Sequence, residues 1–126
     1  MQWGIIIAVA AGGALGSLLR FFTASAIQPV TWTGFPYGIL VVNVIGGFAM
    51  GLIVELSALK VTLTPDVRAF ITIGMLGGFT TFSTFSLESV LLIERGAYAS
   101  AAAYVTGSAV LSILAVFAGM WLIRAL

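Results

Sequence analysis

The chain has 126 residues, 61% of them hydrophobic and 7% charged, with a formal net charge of +1 and neither Cys nor His. Soluble domains carry roughly 25% charged residues, so this chain has too little polar surface to meet water on all sides, and lipid must be the solvent over most of it. The same numbers argue against a nucleic-acid binder, which needs a basic stripe, and exclude disulfides, Cys/His zinc sites, His-ligated haem and Ser-His-Asp catalysis.

The charges fall at Arg20, Glu55, Lys60, Asp66, Arg68, Glu88, Glu94, Arg95 and Arg124, with long uncharged stretches between them. A membrane span needs roughly 20 mostly apolar residues. The first predicted span covers about residues 3–26 and is interrupted only by Arg20. It has no basic flank and is longer than a signal-peptide core of about 7–15 residues, so it reads as a span. A turn is expected at Gln28-Pro29 and Gly34-Phe35-Pro36, and a second span at about residues 37–56. Thr64-Pro65 then reads as an N-cap followed by proline at the first helical position. The third span is expected at about residues 67–93. The Glu94-Arg95-Gly96 turn and a fourth span at about residues 97–123 complete a single all-α transmembrane domain. Four spans are too few to enclose a pore alone, so the chain is expected to be a subunit of an oligomer.

Four spans put both ends on one side, with Lys60, Arg68 and Arg124, and leave Arg20 and Arg95 on the other. Orientation follows an excess of Lys and Arg on one side, and three against two is barely an excess. Two readings stay open: a weak bias that still fixes one orientation, or insertion both ways. The second permits an antiparallel homodimer with the symmetry that larger transporters build from inverted repeats.

The third span carries the anomaly: Gly77-Gly78-Phe79-Thr80-Thr81-Phe82-Ser83-Thr84-Phe85-Ser86. Paired glycines disfavour helix, and unpaired backbone is tolerated at this depth only inside protein or beside a wet cavity. A non-helical break is therefore expected near Gly77 to Thr80. It would turn carbonyls toward a cation and helix N–H groups toward an anion.

Residues four apart share a helix face, and three such stripes point inward: Gly12, Gly16 and Arg20; Asn43, Gly47, Gly51 and Glu55; Tyr104, Ser108 and Ser112. The glycines read as close helix packing. Asn43 must find partners for its amide, either as structural glue or at a functional site. The three hydroxyls form a polar track or bond back to their own helix. Arg20 either snorkels to the interface or sets a positive potential at a pore mouth. Glu88 is a functional candidate as an intramembrane acid, or else a protonated or capped structural one. Phe82 and Phe85 are lipid-facing or core residues, unless their electropositive ring edges hold a small anion beside the hydroxyls. Such a site would lack the full cation that would trap its ion.

The run from Gly77 to Ser86 resembles the GG-x-TTFSTFS signature of the Fluc/CrcB fluoride channels. Asn43 and the stretch Gly12-Gly13-Ala14-Leu15-Gly16-Ser17-Leu18-Leu19-Arg20 are similar to that family too, as are the length and the four spans. The resemblance implies an antiparallel, dual-topology homodimer in the bacterial cytoplasmic membrane. Its two fluoride pores would each draw on both subunits and let cytoplasmic fluoride leave passively. It implies fluoride contacts from Phe82 and Phe85, a pore asparagine at Asn43 and signature hydroxyls at Thr81 and Ser83. It also implies a polar track of Tyr104, Ser108 and Ser112, a pore-proximal acid at Glu88 and a vestibule arginine at Arg20. A structural Na+ is implied at the dimer interface on the carbonyls of Gly77 and Thr80. Small four-span cation or guanidinium exporters share the architecture but need an acid in the first span, where this chain has Arg20 alone. A docking subunit would need no hydroxyl-rich break, and no convergent catalytic set is visible for an enzyme.

Overall fold

The computed structural model describes residues 3–30 and 34–126. Helices long and apolar enough to cross a membrane occupy Trp3–Gln28, Tyr37–Leu59, Pro65–Glu94 and Tyr98–Ala125. The first helix runs on to Val30, so Gln28 and Pro29 close a helix where a turn was expected. The turn expected at Gly34-Phe35-Pro36 is present: Gly34 has φ of 79°, in the left-handed region that glycine alone enters freely. Gln28 then ties the first span to the start of the second. Its Nε2 donates to Phe35 O at 3.0 Å, and its Oε1 accepts from Gly38 N at 3.0 Å.

The spans pack as two tight pairs, first on third and second on fourth. Both pairs use glycine to bring backbones together. A Cβ on Gly12 would run into Phe70 O, and one on Gly16 into Met75 O. A Cβ on Gly51 would meet Val116 O, and one on Gly119 would meet Phe48 O. Few side chains are fully enclosed, Val42 and Tyr104 being the largest, while most Leu, Ile and Phe residues face outward. That inverted distribution suits a surrounding of acyl chains.

One end of the bundle holds the 60s loop and both described termini. There Asp66 lies over Gly4, where a Cβ would come within 2.7 Å of its Oδ2, and Arg124 Nε meets Glu55 Oε1 at 2.9 Å. At the other end Arg95 Nη2 donates to Gly34 O at 2.8 Å.

The third span starts as expected: Thr64 Oγ1 accepts from Val67 N at 3.3 Å, with Pro65 in the first turn. Beyond Pro65–Arg68 it widens into a π-helix over Ala69–Leu76, then makes one α-turn over Gly77–Phe79. The break follows at Thr80 (φ −82°, ψ 156°) and Thr81 (φ −149°, ψ 126°), before helix resumes over Phe82–Glu94. The interruption therefore falls after the glycine pair expected to cause it. Gly78 is spent on packing, since a Cβ there would approach Gly13 O to 2.8 Å. The extended residues are β-branched threonines, which accept strand geometry well.

Candidate functional site

The break would expose backbone polar groups at mid-span, and three side chains absorb them. Asn43 Oδ1 accepts from Thr81 N at 2.9 Å, and Asn43 Nδ2 donates to Thr81 O at 3.2 Å. The amide thus pairs with Thr81 as a neighbouring strand would. Arg20 Nη1 donates to Thr80 O at 3.3 Å, so the guanidinium turns inward to the break. Thr81 Oγ1 caps the following half-helix by accepting from Thr84 N at 3.2 Å. Gly46, one turn along from Asn43, leaves room for Thr80, whose Cγ2 occupies the space a Cβ would need.

The hydroxyl run is largely consumed by its own backbone. Thr80 Oγ1 donates to Leu76 O at 3.0 Å and Ser86 Oγ to Phe82 O at 2.9 Å. Ser83 Oγ lies 3.4 Å from Thr81 Oγ1 and is exposed.

A cavity of about 430 Å³ opens beside the break, between the second, third and fourth spans. Its wall includes Asn43, Thr80, Thr81, Phe82, Phe85, Ser108 and Ser112 and is otherwise mostly apolar. Ser108 Oγ is buried and has no hydrogen-bond partner among the described residues. Phe82 is 79% exposed, open on the side away from the chain. Tyr104 and Glu88 stand behind this wall: Tyr104 Oη donates to Glu88 Oε2 at 2.8 Å, and the Tyr104 ring packs 5.2 Å from that of Phe85.

Among the described residues no group of three or more His, Cys, Asp or Glu could hold a metal ion; backbone carbonyls are one kind of oxygen donor that a hard cation such as Na+ could use at the break. Thr81 N, which a continuous helix would direct at Gly77 O, is turned to Asn43 instead. Thr80 O keeps one lone pair beside its bond from Arg20. Neutral oxygens at a half-helix C-terminus suit a monovalent cation, and one chain supplies two of them.

The structure brings Asn43, Thr80, Thr81, Phe82, Phe85, Ser108 and Ser112 to one cavity. It sets Ser83, Glu88, Tyr104, Arg20 and Gly77 outside the lining. Two features went unread in the sequence: the Glu55–Arg124 pair and the packing of Phe35 on Tyr104. Glu55 at the end of the Asn43 stripe was a signal for the first, because a buried acid needs a partner.

These features define a multi-pass membrane protein of four spans, the third broken beside a cavity edged by aromatic rings and hydroxyls. The model of the CrcB-like protein family, Camphor Resistance (CrcB), matches residues 7–120, and the chain belongs to that family. It is 49% identical over 120 residues to the fluoride-specific ion channel FluC of Rhodospirillum centenum, with 95% of each chain covered. It is likewise 49% identical to the protein of that name from a Chelativorans species, over 96% of this chain and 97% of that one. Identity to the fluoride-specific ion channel FluC 1 of Nitrobacter hamburgensis is 45%, over the whole of both chains.

Proposed function

We propose that this protein is a passive, fluoride-selective channel through which cytoplasmic fluoride leaves the cell. The observation that carries the reading is the convergence of Phe82, Phe85, Asn43 and Ser108 on one cavity at a break in the third span. Fluoride is small and strongly hydrated. A path must replace its water with donors, yet bind weakly enough to release it. Ring edges carry partial positive charge, a free hydroxyl donates one hydrogen bond, and Asn43 keeps a second amide hydrogen beyond its bond to Thr81. Among the described residues, no full cation lines the cavity. Hydrogen fluoride crosses a membrane neutral and dissociates inside, so a passive anion leak is sufficient for export.

The active unit is an antiparallel homodimer in the bacterial cytoplasmic membrane, with two pores. The open flank of Phe82 and a cavity walled by only three spans support a second copy as the missing wall. The near balance of Lys and Arg between the two sides supports both insertions. In this dimer the carbonyls of Gly77 and Thr80 from both copies hold a structural Na+. Arg20 supplies positive potential close to the break. Tyr104, Ser108, Ser112 and Glu88 continue the path beyond the ring edges, with Thr81 and Ser83 at the signature turn.

The test is fluoride efflux from liposomes under a K+/valinomycin shunt, followed with a fluoride electrode. Rapid passive efflux is expected, slowed sharply in Phe82→Ile and Phe85→Ile with the dimer intact. Proton-coupled cation uptake without fluoride flux would select an exporter instead, and unchanged flux in both variants would remove the rings from the path.

A further inference from the structure

Five aromatic rings form a continuous series from the Gly34 turn to the cavity. Ring centroids are 4.7 Å apart for Tyr37 and Phe35, 5.6 Å for Phe35 and Tyr104, 5.2 Å for Tyr104 and Phe85, and 5.6 Å for Phe85 and Phe82. The last two line the cavity. Phe35 has no part in the path described above, yet the chain holds it with unusual care. Its carbonyl accepts from both Gln28 Nε2 at 3.0 Å and Tyr37 N at 2.9 Å, and the preceding Gly34 carbonyl accepts from Arg95 Nη2 at 2.8 Å. Residues from the first span and from the turn before the fourth are thus spent on a two-residue segment. A plain connection needs none of this.

That fixation aims the Phe35 ring at Tyr104, which it meets edge to face at an interplanar angle of 89°, a favoured aromatic geometry. Tyr104 is fully buried, anchored by its hydroxyl to Glu88 at one end. Its tilt is set by its packing: the rings of Phe35 and Phe85 lie against it, in a cluster with Leu92 and Ala101. We infer that Phe35 is a positioning residue for the pore: it seats the Tyr104 ring and, through it, fixes the direction in which Phe85 presents its edge to the cavity. The inference rests on the fluoride-channel reading. An aromatic edge attracts an anion and an aromatic face repels it, so a change in the tilt of Phe85 alters conduction without requiring any loss of fold.

The experiment compares wild type, Phe35→Leu and Phe35→Trp in the same liposomes, with elution volume and melting temperature measured on each purified protein. Phe35→Leu slows fluoride efflux roughly two- to tenfold, the scale of one aromatic contact, while elution is unchanged. Phe35→Trp restores the rate, and Phe35→Leu on top of Phe85→Leu slows efflux no further than Phe85→Leu alone, since the two act as one unit. Wild-type rates in Phe35→Leu, failure of Phe35→Trp to restore them, or multiplicative losses in the double variant overturn the inference. Should Phe35→Leu not reconstitute, Gln28→Leu removes one of the two bonds to the Phe35 carbonyl with the ring still present. The same slowing is expected there, and full-rate efflux overturns the inference. Absence of fluoride efflux in wild type would instead overturn the channel reading itself.

Discussion

Replacing Asn43 with Leu tests whether the break is held by a side chain or by its own local preference. Leu has the same branched outline and cannot bond, so the substitution leaves the N–H and C=O of Thr81 without the partners now at 2.9 and 3.2 Å. Thr81 is buried, so water from the cavity beside it replaces them only in part. An unsatisfied buried group costs about 1–3 kcal/mol, whereas hydrogen bonds between membrane helices average nearer 0.6 kcal/mol by double-mutant cycles. The second figure is low because the disrupted state finds other partners, and here the obvious one is rewinding of Thr81 N onto Gly77 O. Two groups lost with partial repair give an expected loss of about 2 kcal/mol, together with a straighter third span. Reversible unfolding in mixed micelles measures the first, and hydrogen exchange at the Thr81 amide, site by site, the second. An Asn43→Leu protein within about 0.5 kcal/mol of wild type, with Thr81 still protected, would falsify the claim that Asn43 holds the break.

Three further outcomes follow from the packing and polar contacts. Gly16→Ala drives a Cβ into Met75 O and to 2.9 Å from Phe79 N. Backbone cannot give way as a side chain can, so a loss of about 2 kcal/mol or more is expected. Gly13→Ala, with nothing within 4 Å of the new atom, should stay close to wild type in the same unfolding assay. Arg124→Ala should lower the melting temperature more than Glu55→Gln. Removing the arginine strands a carboxylate whose side chain is 10% exposed, while removing the acid leaves a guanidinium that is already 56% exposed; the reverse order would refute this burial argument. Ser108→Ala deletes a buried hydroxyl that bonds to nothing among the described residues. Stability should hold or rise slightly while fluoride efflux slows, and a clear loss of stability would reveal a structural bond at Ser108.

The four spans could be read from the sequence because membrane burial depends on the lengths of uncharged stretches, and those are visible residue by residue. The Thr64-Pro65 start was legible for the same reason: cap chemistry is local. The break was legible in kind and displaced in position. Paired glycines signal both unwinding and close packing, and only the location of the first span decides between them. With Gly78 against Gly13 the pair stays helical, and the interruption moves to Thr80 and Thr81, where Asn43 lies 38 positions away in sequence. Long-range partners of that kind leave no local trace. Phe35 was hidden for a related reason: its role depends on a ring in the fourth span, and in the sequence it is one more residue of a turn.

The polar atoms around the break divide into two sets, and the division itself argues for a ligand path. Thr80 O, the N–H and C=O of Thr81 and Thr84 N are each paired, by Arg20, Asn43 and Thr81 Oγ1. Those bonds account for the shape of the chain, and of these groups only the carbonyls keep a lone pair to offer. The donors left unspent at the cavity are the Ser108 hydroxyl, the second amide hydrogen of Asn43 and the ring edge of Phe82. The Ser108 hydroxyl is buried with no partner among the described residues and lines the cavity beside the break, so on the channel reading it is the donor free to meet an ion that accepts from it in passing and then moves on.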